Sequence, residues 1–584
     1  MRLEHAFGQR SKDIAQNFLQ TVVVVDDRPI FYGVNPADAP IIVIEPPSIF
    51  DVLEPLISEQ AHNTTEDNKS IEEQDDSTKV SETADTQEHN INAKILIDAF
   101  ADLGLLCSLL SPQKGELGIV KKVGKVAHRA DIVILDWYLL SSSSTIALDI
   151  LTNIIEEDVS QRLRLVSIYT GQPFLDSVVE DVSKQLVKTM EKTGRKYQVE
   201  DLNAFTRQAG PIRISVYAKP NSAIPKERPD LRARIVSEAE LPACLITEFT
   251  EMTAGLVSNV ALQSLCVLRD RTHELLGRLH PRLDAPFLSH RTLLPHPEEA
   301  CDHLAAIVAS QIGELLIAAR TGDTAGTKAT QEWIAAKPAG QWSIAAVPGS
   351  GTDKSEMTEQ DVFDLLDKGA EKSVMLQQLL VNADKREKRK FYKRLTELFC
   401  SPPDAASLDF AFARLTSLSA SRSKERTTNG QQAPVLSLGT ILERPKSSTE
   451  KESYWLCLQP LCDSNRIIEK KRRFPLLKLR KVGAAETFQI VAVNSAGNDI
   501  RLEPLLKAYE LDNVMFSVIG ERDVIQAQSQ NNEFCFASDR EGIYIWLGTL
   551  KQEQAQRVAN QFCAQMSRVG LDESEWLRRS SQED

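Results

Sequence analysis

Acidic residues interrupt two apolar stretches in the first quarter of the chain. The stretch TVVVVDDRPI spans residues 21–30, and its β-branched run stops at Asp26 and Asp27. A second apolar run, ADIVILDWYL, stops at Asp136. Carboxylates that are brought together repel one another, so a cluster of three needs a hard cation, for which Mg²⁺ with oxygen ligands is well suited. One of the acids can also attack a phosphorus centre and form an acyl phosphate.

Two further apolar runs end in groups that stabilise a phosphoryl group. LRLVSIYTG ends with Thr170 beside Gly171, and IRISVYAKP ends with Lys219. An ammonium group neutralises one phosphoryl oxygen and a hydroxyl donates a hydrogen bond to another. The glycine leaves room for the phosphoryl group. These residue types together suit transfer of a phosphoryl group to a carboxylate.

The elements that must position these residues alternate between apolar strands and amphipathic helices. This alternation predicts an α/β fold with a doubly wound parallel sheet of five strands in the flavodoxin-like order 2-1-3-4-5. Ligands bind such sheets outside the carboxyl ends of the strands, where the strand order reverses. Here that point lies between the first and third strands. We therefore expect Asp26, Asp27 and Asp136 to converge there, with Thr170 and Lys219 on the same rim.

The set of motifs resembles a response-regulator receiver domain. VVDDRP, VILDW, IYTG and YAKP stand at the family's acid pair, phosphoacceptor, threonine and lysine-proline positions. The resemblance covers about residues 20–240. It implies that Asp136 is the phosphoacceptor and that Asp26 and Asp27 bind Mg²⁺ together with it. It also implies a histidine kinase as the phosphoryl donor.

Three features depart from the compact form of that family. The family's aromatic switch residue lies three positions before the lysine, where this chain has Val216, and strand alternation places Tyr217 on the other face. An acidic segment at about residues 60–90 holds almost no large apolar residues, so it is predicted to be disordered. The stretch between Thr170 and Lys219 is also long. Loops can carry such additions without moving the site.

The 584 residues are enough for several domains. We predict a receiver domain at 1–240, a helical middle region at 241–416, a linker at 417–434 and an α+β module at 435–584. No compact basic three-helix unit follows the receiver, so a DNA-binding output is not expected.

Charge and composition narrow the choice of partners. A net charge of −14 argues against nucleic acid and membrane surfaces, because attraction to phosphates needs a basic balance. The nine cysteines lack the paired spacing of a zinc site and are interpreted as reduced thiols. No apolar leader is found and no stretch approaches 18 uncharged apolar residues. We therefore expect a soluble cytoplasmic protein.

Other motifs are given structural interpretations. His273 lies on a predicted helix without an ATP-lid pattern, and the basic run KREKRKFYKR at 385–394 is interpreted as a solvated helix face rather than a nucleic-acid contact. A haloacid-dehalogenase-type phosphatase needs a second aspartate two residues after its nucleophile, where this chain has Arg28 or Pro29. No histidine follows His303, so Cys457 and Cys462 have no histidine partner in the C-terminal module.

These inferences favour a two-component signalling phosphoprotein that is not an enzyme. The expanded receiver with a large partner region also looks similar to receiver proteins of bacterial anti-phage two-component systems. There, a receiver without an enzymatic domain absorbs stray phosphoryl groups, which implies a second receiver-effector protein as a partner and a role in antiviral defence.

Two alternatives stay open. One is an enzyme regulated by the receiver, which would group Asp463, Arg466 and Lys478 around one pocket. The other is a pseudo-receiver that only mediates assembly. Homo-oligomerisation is open in each case.

Overall fold

The computed structural model describes residues 5–31, 90–294 and 296–566, with short gaps at 141–142, 159, 196, 339–341, 346–353, 423–432, 447–450, 484–485, 487 and 520–522. The chain forms two compact units, one of Met1–Arg278 with Gln311–Ala336 and one of Leu279–Ser310 with Lys337–Asp584. The acidic segment predicted to be disordered at 60–90 lies outside the described residues except for Asn90.

The first unit is built around a mixed sheet. The described strands of this unit are β1 (Thr21–Val25), β2 (Pro29–Ile30), β3 (Ile91–Asn92), β4 (Leu106–Leu110), β5 (Ile132–Leu135), β6 (Arg164–Thr170), β7 (Val199–Asn203), β8 (Thr206–Ala209) and β9 (Ile212–Ala218).

The main sheet has the order β4-β1-β5-β6-β9-β8-β7. The first five strands of that order run parallel, whereas β8 and β7 continue the sheet antiparallel to β9. The separate pair of β2 and β3 is parallel. The α/β class is confirmed, and the five parallel strands follow the order 2-1-3-4-5. The sheet has seven strands and not the predicted five, because residues 199–209 add a hairpin at its edge.

Helices cover both faces of this sheet. The first nine helices of the chain are α1 (Ala6–Phe18), α2 (Ala93–Asp102), α3 (Ile119–Ala127), α4 (Thr145–Glu157), α5 (Leu175–Thr193), α6 (Pro229–Arg232), α7 (Leu241–Thr253), α8 (Leu256–Asp270) and α9 (Thr272–Arg278). One core cluster joins α3, α4 and α5 to the sheet, and a second joins α1, α2 and α7 to its other face. Burial on both faces explains why the inner strands β1 and β5 are continuous apolar runs.

Local signals define several helix ends. The Asn92 side chain accepts a hydrogen bond from Ile95 N at 3.2 Å and caps α2. Helix α5 ends at Gly194, whose φ of 65° is left-handed and favours glycine. Helices α7 and α8, which the sequence assigns to the middle region, pack against α1 in the first unit.

The helices that follow are α10 (Asp284–Leu293), α11 (Glu299–Ala318) and α12 (Thr327–Ala335). One of the boundaries between the two units falls within α11, after Ser310. Among the described residues, α11 is long and apolar enough to cross a membrane by length and composition alone. The pair of α7 and α8 passes the same test together but is bent by 117°.

The second unit combines further helices with a large antiparallel sheet. The helices are α13 (Glu359–Lys368), α14 (Val374–Leu379), α15 (Lys385–Tyr392), α16 (Pro402–Ser417), α17 (Leu461–Ser464) and α18 (Gln552–Met566). The strands are β10 (Ser343–Ala345), β11 (Lys354–Glu356), β12 (Leu418–Ser421), β13 (Thr440–Arg444), β14 (Ser453–Cys457), β15 (Lys471–Val482), β16 (Ile490–Val493), β17 (Asp499–Pro504), β18 (Leu511–Ser517), β19 (Gln528–Gln530), β20 (Glu533–Ala537) and β21 (Ile543–Leu550).

Strand β15 is the centre of that sheet. It pairs with β14, β17 and β18, in a sheet ordered β16-β17-β15-β14-β13-β21-β20-β19 with β12 added at β21. Two apolar clusters cover its faces. Most strands of this sheet lie in the segment predicted as an α+β module, but β12 lies in the segment predicted as a linker, and the predicted helical middle region contains the strand pair of β10 and β11.

Candidate functional site

The acids lie where the parallel strands β1 and β5 end. Asp26 N donates to Leu110 O at 3.1 Å and Asp136 N donates to Val25 O at 3.0 Å, so main-chain hydrogen bonds continue from the sheet to both acids. Asp26 is 2% exposed and Asp136 is 6% exposed. Burial of two ionisable side chains in a fold is costly unless a partner compensates their charge.

Lys219 supplies that compensation from the end of β9. Its Nζ lies 2.8 Å from Asp26 Oδ2 and 3.2 Å from Asp136 Oδ1, and the residue is only 1% exposed. Its backbone N donates to Thr170 O at 2.8 Å. One buried ammonium therefore bridges the first and third parallel strands.

The site perturbs the pKa values of two of these groups. The pKa of Asp136 is raised to about 6: burial is the largest cause, Lys219 opposes the rise, and Asp26 and Asp27 add to it. For Lys219, burial lowers the pKa, but the attraction of Asp136 and Asp26 outweighs this effect and the pKa is raised. Lys219 thus stays an ammonium, whereas Asp136 gains or loses a proton close to neutral pH.

The remaining predicted residues lie at the same edge with other contacts. Thr170 is 1% exposed, and its hydroxyl accepts a hydrogen bond from Gln172 N at 3.2 Å. Asp27 Oδ2 accepts from Leu140 N at 3.0 Å, and Leu140 has a left-handed φ of 60°. Asp27 thereby holds the loop that follows Asp136. The sequence does not reveal this role, because the two partners are 113 residues apart.

The three carboxylates suit Mg²⁺ by their chemistry, since hard oxygen donors are what this ion prefers. Their arrangement in this structure is not that of an assembled ligand set, because Lys219 holds Asp26 and Asp136. Within the described parts of the chain, no group of three or more histidine, cysteine, aspartate or glutamate side chains is arranged to hold a metal ion. Mg²⁺ held by Asp26, Asp27 and Asp136 would therefore have to compete with the ammonium for the same oxygens.

Two tyrosines connect the site to helix α7. The Tyr169 ring centroid lies 5.9 Å from Lys219 Nζ, and its hydroxyl donates to Val236 O at 2.8 Å. Tyr217 donates to Glu248 Oε1 in α7 at 3.0 Å. Both rings belong to the core cluster shared with α1, α2 and α7.

Val216 belongs to the opposite cluster, with α3, α4 and α5. Tyr217 and Val216 therefore lie on opposite faces, as strand alternation predicts. The hydrogen-bond partners of the two tyrosines could not be predicted from the sequence, because they lie 67 and 31 residues away and no local pattern indicates them.

The fold and the site define a doubly wound α/β domain with buried acids and a lysine at the carboxyl ends of its parallel strands. Residues 18–223 match the family model of the response receiver domain. This segment, a little over a third of the chain, is thus a receiver domain and indicates a role in two-component signalling. Comparisons with curated proteins and with solved structures give no match.

Proposed function

We propose that the protein accepts a phosphoryl group on Asp136 from a histidine kinase and acts in a two-component pathway. The observation that carries the proposal is the buried contact of Lys219 with both Asp26 and Asp136 at the carboxyl ends of the parallel strands. A buried lysine between acids is costly as a purely structural element. It is useful where negative charge must be neutralised during a reaction.

The chemistry is the displacement of histidine at phosphorus. An oxygen of ionised Asp136 attacks the phosphorus of the kinase phosphohistidine, a P–O bond forms, the P–N bond breaks and the imidazole leaves with the electron pair. Lys219 neutralises a phosphoryl oxygen, and the Thr170 hydroxyl donates to another. When bound by Asp26, Asp27 and Asp136, Mg²⁺ supplies further neutralisation of the phosphoryl charge.

The signal passes to the face of the sheet that carries α7. A phosphoryl group on Asp136 gives Lys219 a new partner, and Lys219 lies beside the Tyr169 ring. Tyr169 contacts the segment before α7, and Tyr217 contacts Glu248 within it. The transmission thus differs from a route through position 216, where this chain has valine.

The proposal includes no DNA-binding or enzymatic output and places the protein in the cytoplasm. A phosphate-buffering receiver in anti-phage defence, beside a second receiver-effector protein, is the form that the expanded architecture favours. Among the described residues, no hydrogen bond or ion pair joins Asp463, Arg466 and Lys478, and Lys478 instead lies 3.8 Å from Glu510. That arrangement gives no support to the alternative of a regulated enzyme.

A pseudo-receiver is the second candidate. It is favoured by the ion pairs that Lys219 forms with two of the three carboxylates, because permanent ion pairs at these oxygens exclude Mg²⁺. The two candidates differ in one measurable property, which is whether the acids take up a phosphoryl group.

Intact-protein mass spectrometry after incubation with Mg²⁺ and a small acyl-phosphate donor tests the proposal. We expect a single phosphoryl adduct that needs Mg²⁺, is absent from Asp136→Asn, and is retained in Asp149→Asn, which changes an exposed aspartate of α4. Slow decay of the adduct would support phosphate buffering. No adduct with either the small donor or a histidine kinase would reject the proposal in favour of the pseudo-receiver.

A further inference from the structure

Helix α15 in the second unit carries a stripe of cationic side chains. The stripe consists of Arg386, Arg389 and Lys390 of α15 and of Lys393, which follows the helix directly with helical backbone angles. Their spacing of three, one and three residues places them on one face. The helix is fixed at its start by a capping box between Asp384 and Glu387. Its Phe391 is 5% exposed and anchors the opposite side. The cations therefore sit on a defined surface.

This stripe lines an open groove of about 420 Å³. The other residues of the groove are Arg480 of β15, Glu503 of β17 and Glu486. The groove thus holds five cationic side chains and two carboxylates. In a chain with a net charge of −14, such a local excess of positive charge is opposite to the overall balance.

The two carboxylates are already engaged with one cation. Arg480 forms ion pairs with Glu503 and with Glu486, the latter at 3.3 Å. Lys393 Nζ donates to the backbone oxygen of Glu486 at 2.8 Å. By contrast, none of the carboxylates in the described parts of the chain forms an ion pair within 4 Å of Arg386, Arg389 or Lys390. Most of the positive charge along the stripe is therefore available to an anion.

We propose that this groove binds a short chain of linked phosphate groups, as in inorganic tripolyphosphate or a nucleoside triphosphate. Arginine binds phosphate oxygens with paired N–H donors, and lysine acts as a point charge beside it. From Arg386 to Lys393 the stripe extends about 10 Å along the helix. Linked phosphates share a bridging oxygen and lie close together, so several of them fit along this length and can each meet a different cation of the stripe.

Two observations favour a free phosphate chain over a nucleic-acid strand. Sites for single strands combine cations with aromatic rings on which bases stack. Phe391 of α15 is buried on the opposite side of the helix, Tyr392 is exposed but does not line the groove, and the lining of the groove contains no aromatic side chain. The overall negative charge also opposes the approach of a long polyanion, whereas a short one senses mainly the local field.

Isothermal titration of the full chain with tripolyphosphate, without Mg²⁺ or a phosphoryl donor, tests this proposal. The triple variant Arg386→Gln, Arg389→Gln, Lys390→Gln removes the groove cations and keeps a good helix former at each position. We expect its affinity to fall by at least about tenfold, since charge-assisted hydrogen bonds to phosphate are lost. Because the assay is independent of Asp136, it can succeed or fail separately from the proposed receiver activity.

The matched control is Lys385→Gln with Lys388→Gln, which removes positive charge from the same helix outside the groove. The control should stay within about twofold of the parent chain, because long-range attraction alone is screened by salt. Absence of binding by the parent chain, or an equal loss in the control, would overturn the proposal. A 12-nucleotide single strand that binds more tightly than tripolyphosphate and is lost in the triple variant would overturn it in favour of nucleic acid.

Discussion

Lys219 Nζ lies 2.8 Å from Asp26 Oδ2, although the two residues are 193 positions apart in the chain. The contact joins the first and fifth parallel strands across the two strands that lead to Asp136 and Thr170. Both side chains are almost fully buried. The ion pair therefore stabilises the edge of the sheet and also fixes the positions of the predicted site residues.

Replacing Lys219 by methionine should destabilise the protein strongly. The change leaves Asp26 and Asp136 buried without their cation, and loss of one partner of a buried pair typically costs about 3–5 kcal/mol. Urea denaturation gives the free energy of unfolding. Lys188→Met, at an exposed position of α5, is the control and should change it by less than about 0.5 kcal/mol. A loss below about 1 kcal/mol in Lys219→Met would show that the acids do not depend on the ammonium.

The stability of the protein should depend on the ionisation of Asp136. Its folded-state pKa of about 6 lies above the ordinary aspartate value, so the folded protein binds the proton more tightly than the unfolded chain. Stability from this group is therefore full below the unfolded pKa and is lost as the pH rises through about 6. The stability gained by Asp136→Asn relative to the parent chain should grow between pH 4 and pH 7. A constant difference across that range would contradict the raised pKa.

The rate of phosphoryl uptake should rise with pH through the same region. Only ionised Asp136 is a nucleophile, and burial keeps part of it protonated up to about pH 6. Adduct formation with an acyl-phosphate donor, followed by mass spectrometry at several fixed Mg²⁺ concentrations, measures this dependence. Because the cation favours the ionised acid, the midpoint should fall when the Mg²⁺ concentration is raised. A rate of phosphoryl uptake that depends neither on pH nor on the Mg²⁺ concentration would show that titration of Asp136 does not control it.

Substitution of Asp27 should weaken Mg²⁺ binding while the fold persists. In Asp27→Asn the amide oxygen can still accept from Leu140 N, but a negative oxygen ligand is lost. We expect at least about a tenfold lower affinity for Mg²⁺, measured by the metal-dependent increase in melting temperature. Asp149→Asn should behave like the parent chain. Equal affinities in all three proteins would place the metal elsewhere.

Removal of the Tyr217 hydroxyl should loosen α7 without changing phosphoryl uptake. Tyr217→Phe deletes the hydrogen bond to Glu248 and leaves a buried carboxylate less well satisfied, at a cost of about 1–3 kcal/mol. Amide hydrogen exchange should then speed up in α7, with the amides of α4 on the opposite face as the internal control. An increase of the same size in both helices would indicate general destabilisation and not a specific link.

The sequence predicts those parts of the fold that depend on local pattern. The strands that precede Asp26 and Asp136 are continuous apolar runs, and the burial of a parallel sheet on both faces produces such runs. The helices between them show apolar residues at helical spacing. Alternation of residues along β9 also assigns Val216 and Tyr217 to opposite faces. In each case the signal lies within a few residues.

Other features depend on distant partners or on weak patterns and could not be predicted. The strand β7 has the sequence VEDLN, and four of its five residues are exposed, so it has no apolar alternation to detect. Strand β15 has arginine, lysine or proline at seven of its twelve positions. Such a composition is typical of a basic loop, so the sequence does not indicate a central strand. The contact of Lys219 with two carboxylates requires the complete sheet to form.

The β7–β8 hairpin also bears on how the domain avoids aggregation. Without it, β9 would present a free edge of backbone hydrogen-bonding groups next to Lys219. With the hairpin present, the edge strand is β7, which is short and carries Glu200 and Asp201. Short, charged edge strands resist pairing with other chains. At the other side, no strand in the described parts of the chain pairs with the outer edge of β4, where Leu106 is 75% exposed. Edge-to-edge association of the sheet is therefore favoured at the side away from Lys219.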